Sequence, residues 1–210
     1  AHALFVQHRL LFRLGGDIAR KKSDDAPTHG GRVRGWLCLF CGVVFVLRVL
    51  LQMVFWNRVI SWVEVFAEAG VIIPLSLASL AFGAARRRAS PVGSLELVGL
   101  VIFVVGTFLN VWSEYTRHVW KLDPANAGRL YTGGLFGACR HINYFGEVLS
   151  FVGYAFVSAE LWNLWIPLVM GLGLMVFSVP ELDAYLSSKY VEEWAAYTRA
   201  VQCQMVPFVW

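Results

Sequence analysis

Residues 143–179, NYFGEVLSFVGYAFVSAELWNLWIPLVMGLGLMVFSV, contain two apolar runs, 143–159 and 161–179, parted by little more than Glu160. Each run comes close to the roughly 20 residues that a helix needs to cross a hydrocarbon core. A connection this short brings the chain straight back, so the stretch reads as a tight transmembrane hairpin with both outer ends on one side. The polar run before it and the tail after it, 180–210, therefore face the same compartment and can build a site together.

The whole chain agrees with that reading. Of its 210 residues 58% are hydrophobic and 15% charged, and the mean hydropathy is +0.59. These values belong to multispanning membrane proteins and exclude an ordinary soluble domain. The net charge of +4 reads as loop charge facing lipid headgroups, and no basic stripe interleaved with aromatics suggests nucleic acid. The partners expected are the bilayer and a lipophilic small molecule.

Upstream of the hairpin the pattern gives further spans. Residues 1–34 form a basic segment that breaks into the polar run KSDDAPTHGGR, and 35–56 then carries a single charge, Arg48. The run 59–82 is weaker, because Glu64 and Glu68 lie one turn apart on one helical face and Pro74 can kink it. Arg86–Arg88 closes that run as a loop, 95–112 gives a clean span, and 117–139 reads as a long connection rich in glycine. In the tail, Leu182, Leu186, Tyr190, Trp194, Tyr197 and Val201 recur at spacings of three and four, which predicts one amphipathic helix at the membrane surface. The fold class is all-α: a multispanning transmembrane bundle with a C-terminal amphipathic helix. Its organisation is 1–34 as a basic N-terminal segment, 35–116 as transmembrane helices, and 117–210 as loop, hairpin and tail. Because the chain begins at Ala1 and not Met, it reads as a processed or a partial product, with the presence of upstream helices left open. The positive-inside rule puts the basic loops in the cytoplasm, opposite the hairpin mouth. A cytoplasmic ligand at the mouth argues the reverse, and the site is given precedence.

Chemistry gathers at that mouth. Arg140, His141, Asn143, Tyr144 and Glu147 crowd the first turn of a membrane helix, where an unsatisfied polar group costs several kcal/mol. Asn143 and Glu147 share one face. A helix cap needs one such residue and not five, so a charged ligand is favoured over a purely structural cap. Arg117 and Lys121, four residues apart, share a helical face if the preceding helix continues, a pairing suited to phosphate. Headgroup snorkelling is the equal alternative. Glu64 and Glu68 are candidate intramembrane acids, with Arg48 a possible partner; a structural ion pair is as good a reading. Gly133, Gly134 and Gly137 match no nucleotide-binding fingerprint. Of the four cysteines, Cys38, Cys41, Cys139 and Cys203, the Cys-x-x-Cys pair Cys38 and Cys41 lies in an apolar helix candidate and is read as small membrane-helix residues, and no metal site is expected.

RHINYFGE, residues 140–147, resembles the Arg-His-x-Asn-Tyr-x-Gly-Asp/Glu motif of sterol reductases and steroid 5α-reductase-like membrane enzymes. The tail KYVEEWAAYTRAVQCQMVPFVW is similar to their Lys-Tyr-Gly-x-x-Trp-x-x-Tyr ending, and RHVWKLDP, 117–124, to their Lys-x-x-Phe-Arg-x-x-Pro. The likeness covers about the last hundred residues. It implies an NADPH-dependent reductase of lipid metabolism, multi-pass in the endoplasmic reticulum. NADPH would contact Arg117, Lys121, Arg140, His141, Asn143, Tyr144, Glu147, Tyr190, Trp194 and Tyr197. Hydride would pass to a carbon–carbon double bond of a steroid- or lipid-like substrate. Tyr144 is the preferred proton donor, with Glu147, Glu64 and Glu68 as the other catalytic candidates. Val191 and Gln202 depart from the tail pattern. The architecture also resembles integral-membrane methyltransferases of the isoprenylcysteine and phospholipid type, whose ligand is S-adenosylmethionine. Ile142 in place of their Pro, and PELDAYL without paired glutamates, favour the reductase. A non-catalytic lipid-binding or scaffold protein is the third reading.

Overall fold

The computed structural model describes residues 28–55 and 73–207, and over these the chain is helical with no strand. The helices are α1 (His29–Phe55), α2 (Ile73–Arg86), α3 (Ser94–Leu122), α4 (Ile142–Val157), α5 (Trp165–Gly173), α6 (Val179–Lys189) and α7 (Val191–Ala200). Three stretches are long and apolar enough to cross a membrane: His29–Gln52, Ser94–Leu122 and Leu161–Lys189. The chain is an all-α membrane bundle. Glu64 and Glu68 lie outside the described residues.

The hairpin differs from its sequence reading in both arms. Its first arm is the shorter apolar helix α4, and the chain reverses at Ala159, whose φ of 58° is left-handed. The second arm does not stop at Val179. A π-helical turn, Leu174–Ser178, carries it on into α6, with Pro180 in the first turn of α6. A proline ring in an ordinary helix presses on the carbonyl four residues back, and the wider π turn sits where that clash would fall. The third helix runs to Leu122, so the long connection begins at Asp123. The tail is two helices broken at Tyr190. Lys189 ends the first while Glu192 and Glu193 open the second, which places each charge at the helix end that favours it.

The chain forms two compact units. The first contains Ala1–Phe103 and Val152–Ile166. Its core includes Phe45, Leu77, Leu80, Phe103, Tyr154 and Val157. The Tyr154 hydroxyl donates to the Cys38 carbonyl at 2.6 Å, and the free thiols of Cys38 and Cys41 are buried. A Cβ added at Gly153 would lie 2.2 Å from the Phe103 nitrogen, so the backbones of α3 and α4 meet where only glycine fits. Arg34, assigned from sequence to the polar N-terminal segment, is 1% exposed on α1. Its guanidinium is fully used: it pairs with Glu96 and donates to the carbonyls of Arg87, Ser90 and Pro91. A second buried network centres on Asn163, which accepts from Ser79 and donates to Ser158, both at 2.8 Å.

The second unit contains Val104–Phe151 and Pro167–Trp210. Here α3 and α4 again approach through glycine: a Cβ on Gly106 would lie 2.4 Å from the Ser150 nitrogen, and one on Gly146 2.6 Å from the Asn110 nitrogen. Phe136, Cys139 and Ile142 form its small core with Leu109, Tyr131, Leu135, Phe145 and Cys203 around them.

Candidate functional site

The second unit holds the hairpin mouth, the end of α3 and the tail. The mouth is tied to the tail by main chain: the amides of Arg140 and His141 donate to the carbonyls of Cys203 and Gln204 at 3.0 and 2.8 Å. A Cys139–Cys203 disulfide, which the sequence reading did not anticipate, reinforces this join. Neither cysteine has a CxxC partner, and only the tail's return over the mouth makes them neighbours.

Five side chains expected at the mouth do different things. His141, 2% exposed, is engaged with Asp183 of α6 at 2.7 Å, and the Gln204 amide donates to the other Asp183 oxygen at 2.9 Å. The histidine is thus a clasp between α4 and α6. Tyr144 stacks on it, ring centroids 5.6 Å apart and planes within 8°, which holds the phenol's plane. Arg140 donates to the Val201 carbonyl at 2.7 Å and lies over Trp194 at 5.9 Å. Glu147 is half-buried one turn further along α4.

Asn143 is the best-defined member. It is 8% exposed. Its amide nitrogen donates to Glu114 of α3 at 2.7 Å, and its backbone carbonyl accepts from Asn110 at 2.9 Å. With the nitrogen fixed on a carboxylate, the amide's orientation is set and its oxygen is the remaining acceptor. That oxygen, like Nε of Arg140, has no hydrogen-bond partner among the described residues. A buried polar atom left this way costs about 1–3 kcal/mol, so one acceptor and one donor stand ready for a ligand carrying the complementary groups. Asn143 does not cap its own helix, which was the structural alternative.

Because α3 continues to Leu122, Arg117 and Lys121 lie one turn apart on it, as the spacing suggested, but their side chains have different partners. Arg117 is exposed but bound to Glu114 three residues back. Lys121 donates to the Arg129 carbonyl and lies 5.2 Å from the Tyr190 ring. Lys189 lies 5.4 Å from the same ring, so the two ammonium groups flank one tyrosine. Among the described residues neither lysine pairs with a carboxylate, whereas Arg129 pairs with Glu193. Lys121 and Lys189 thus lie beside one ring, while Arg117 is held by Glu114.

Trp194 and Tyr197 of α7 pack edge to face at 5.8 Å. Tyr197 is buried and donates to the Phe136 carbonyl at 2.8 Å. Burial pushes its phenol well above its usual range, with Arg140 opposing and Asp183 adding to the shift. Its role is to pin α7 to the loop. Sequence reading missed Glu114, Asp183, Gln204 and Lys189 as parts of this cluster. Glu114 carried a signal, a carboxylate near the end of an apolar helix, one turn from Asn110.

The chain resembles known proteins over part of its length. It is 32% identical over 99 residues to "Probable O-methyltransferase ustE" of Ustilaginoidea virens, covering 43% of this chain and 32% of that one. It is 23% identical over 127 residues to a Delta(14)-sterol reductase of Arabidopsis thaliana, covering 54% and 34%. It is 26% identical over 121 residues to the steroid 5-alpha-reductase DET2 of the same plant, covering 54% and 42%. The chain thus spans about a third to two fifths of the length of these relatives. The relatives thus include two reductases and a probable O-methyltransferase. A family model described as "Protein of unknown function (DUF1295)" matches residues 43–201, and the chain belongs to that family.

Proposed function

We propose that the chain is an integral membrane oxidoreductase that passes hydride from NADPH to a carbon–carbon double bond of a steroid- or lipid-like substrate. The observation that carries this reading is the pair of unsatisfied atoms, Asn143 Oδ1 and Arg140 Nε. A carboxamide offers an N–H to the first and a carbonyl to the second, and Lys121 and Lys189 supply charge for phosphate without a competing carboxylate. These residues fit an anionic dinucleotide. When bound, the dinucleotide supplies the hydride.

The chain's own share is positioning and proton delivery. Glu114 fixes the Asn143 amide, and reacting carbons held about 3 to 3.5 Å apart gain the advantage of near-attack geometry. Reduction of an enone leaves negative charge on its oxygen, and Tyr144 Oη, in a ring plane set by His141, is the proton donor proposed for that atom. The apolar substrate enters from the bilayer.

A second reading, methyl transfer from S-adenosylmethionine, is favoured by the 32% likeness to a probable O-methyltransferase. A labelling comparison separates the two. Membranes containing the protein are supplied with NADPH tritiated at the transferable hydrogen or with methyl-labelled S-adenosylmethionine, and the lipid extract is counted. Tritium in the lipid supports the reductase; methyl label alone transfers the assignment to the second reading; neither label, with a folded protein, leaves a lipid-binding scaffold.

A further inference from the structure

Past α7 the chain leaves helical geometry: residues 201–204 belong to no helix, although Val201 and Met205 are buried. A segment of this kind takes its place from what it touches, and here the touching groups lie on the mouth. The Arg140 guanidinium donates to the carbonyls of Val201 and Gln202 at 2.7 and 3.4 Å, and the Arg140 amide donates to that of Cys203 at 3.0 Å. The His141 amide takes the Gln204 carbonyl at 2.8 Å. Every carbonyl from Val201 to Gln204 is therefore engaged by one of two consecutive residues, and Arg140 holds most of them.

The Cys139–Cys203 disulfide lies within this arrangement. Cys139 directly precedes Arg140, and Cys203 supplies one of the carbonyls. The bond joins residues separated by 64 positions, with α4 to α7 between them. A cross-link over so much chain keeps the tail beside the mouth, whereas hydrogen bonds of modest net strength permit local opening. The two cysteines also differ in surroundings. Cys139 is 0% exposed and packs with Phe136 and Ile142, while Cys203 is half-buried at the edge of that core. A reductant therefore meets the bond from the Cys203 side.

We infer that this disulfide is a thiol-sensitive latch that governs how firmly the tail holds Arg140 at the mouth. A thiolate of an external dithiol attacks Cys203 Sγ, and the electron pair of the S–S bond leaves on Cys139 Sγ, which takes up a proton. The second thiol of the reductant, deprotonated, then displaces Cys203 Sγ, which is protonated in turn. The dithiol ends as a cyclic disulfide, having given two electrons and two protons to the cysteines. Without the cross-link, residues 201–204 open locally and the Arg140 guanidinium loses its fixed direction. Reduction thereby weakens nucleotide binding, a consequence that rests on the dinucleotide reading of the mouth; the release of the tail does not. The buried thiols of Cys38 and Cys41 belong to the other unit and take no part.

The test uses the full chain in neutral detergent, oxidised or treated with dithiothreitol. Thiols are counted by alkylation and mass spectrometry, amide exchange is followed in peptides covering 139–145 and 201–206, and NADPH binding is titrated in both forms. Dithiothreitol is expected to free Cys139 and Cys203, to speed exchange in both peptides about tenfold or more while α3 keeps its rate, and to weaken NADPH about tenfold. Oxidised glutathione should restore both. The variant Cys139→Ser/Cys203→Ser should behave as the reduced protein and ignore dithiothreitol; if it does not fold, reduction and reoxidation of the unaltered chain decide alone. A bond that resists dithiothreitol in the folded protein would overturn the inference, as would unchanged exchange after reduction or NADPH held equally by both forms. Faster exchange with NADPH bound by neither form supports the latch and sinks the dinucleotide reading instead.

Discussion

Replacing Asn143 by Leu, nearly the same volume without the amide, separates a binding role from a structural one by the sign of two effects. Without ligand, the variant loses the charge-assisted bond to Glu114 at 2.7 Å, worth about 1.5–3 kcal/mol. It also removes a buried oxygen that has no partner, relieving about 1–3 kcal/mol. The two nearly cancel, since Glu114 keeps Arg117, and the ligand-free melting temperature should move by only a few degrees. With ligand the balance differs, because the bond to Oδ1 is lost and the ligand's donor is buried unpaired. That penalty of about 1–3 kcal/mol weakens NADPH some 5- to 150-fold. Ligand at 100 times its dissociation constant stabilises a protein by about 2.7 kcal/mol; after a 10-fold weakening the same concentration gives about 1.4, and after 100-fold about 0.4. Melting of the detergent-solubilised protein with and without NADPH reads both quantities. A large ligand-free destabilisation with an intact NADPH shift would mean that Asn143 is a structural strut, and the reasoning from its unpaired oxygen would fail.

Other outcomes follow from the same geometry. Tyr144→Phe should lower turnover by about 10²–10⁴ as expected for loss of a positioned proton donor, with NADPH affinity nearly unchanged; parallel loss of both in a turnover and binding assay counts against the role. Lys189→Gln, removing one of the two ammonium groups beside Tyr190, should weaken NADPH more than NADH in a competition binding measurement, and equal weakening would place the extra phosphate elsewhere. Gly153→Leu drives a side chain into the Phe103 backbone and should cost at least the about 1–3 kcal/mol of core overpacking, read as a lower melting temperature. Because the folded state holds the Tyr197 proton more tightly than the unfolded chain does, stability should be fully present below the phenol's ordinary value of 10.0 and fall as pH rises above it. Tyr197→Phe should flatten that alkaline decline, and an unchanged slope in pH-dependent unfolding would contradict the burial effect.

Much of the membrane architecture was legible because hydrocarbon imposes a length and a composition on whatever crosses it. The run 95–112 and the hairpin both stand out on those grounds, and their apolar stretches lie within helices of the bundle. What escaped was local geometry that apolarity does not encode. Continuation of the hairpin's second arm through Pro180 depends on a π turn, and the break at Tyr190 depends on opposite charges at adjoining helix ends. In the site, RHINYFGE drew attention as a block, yet the side chains that give it meaning lie far along the chain. Glu114 sets the polarity of Asn143, and Asp183 holds His141. Residue spacing reports neighbours on one helix, whereas these partnerships are made by packing one helix on another.

That division of labour separates residues that can meet a ligand from residues that merely resemble those that do. His141, with Nε2 committed to Asp183 and its ring face to Tyr144, has the surroundings of a clasp. Tyr197, buried with its hydroxyl on a main-chain carbonyl, pins a helix. Asn143 and Arg140 differ because, among the described residues, each keeps one polar atom unsatisfied after its structural bonds are made. A group that only stabilises the fold has no reason to leave such an atom buried, since replacing it with an apolar neighbour of the same shape costs less. The collar is therefore built in two layers: a satisfied outer set, Glu114, Asp183, Gln204 and Tyr197, and an inner pair, Asn143 and Arg140, each keeping one polar atom without a partner among the described residues, on which the proposed dinucleotide site rests.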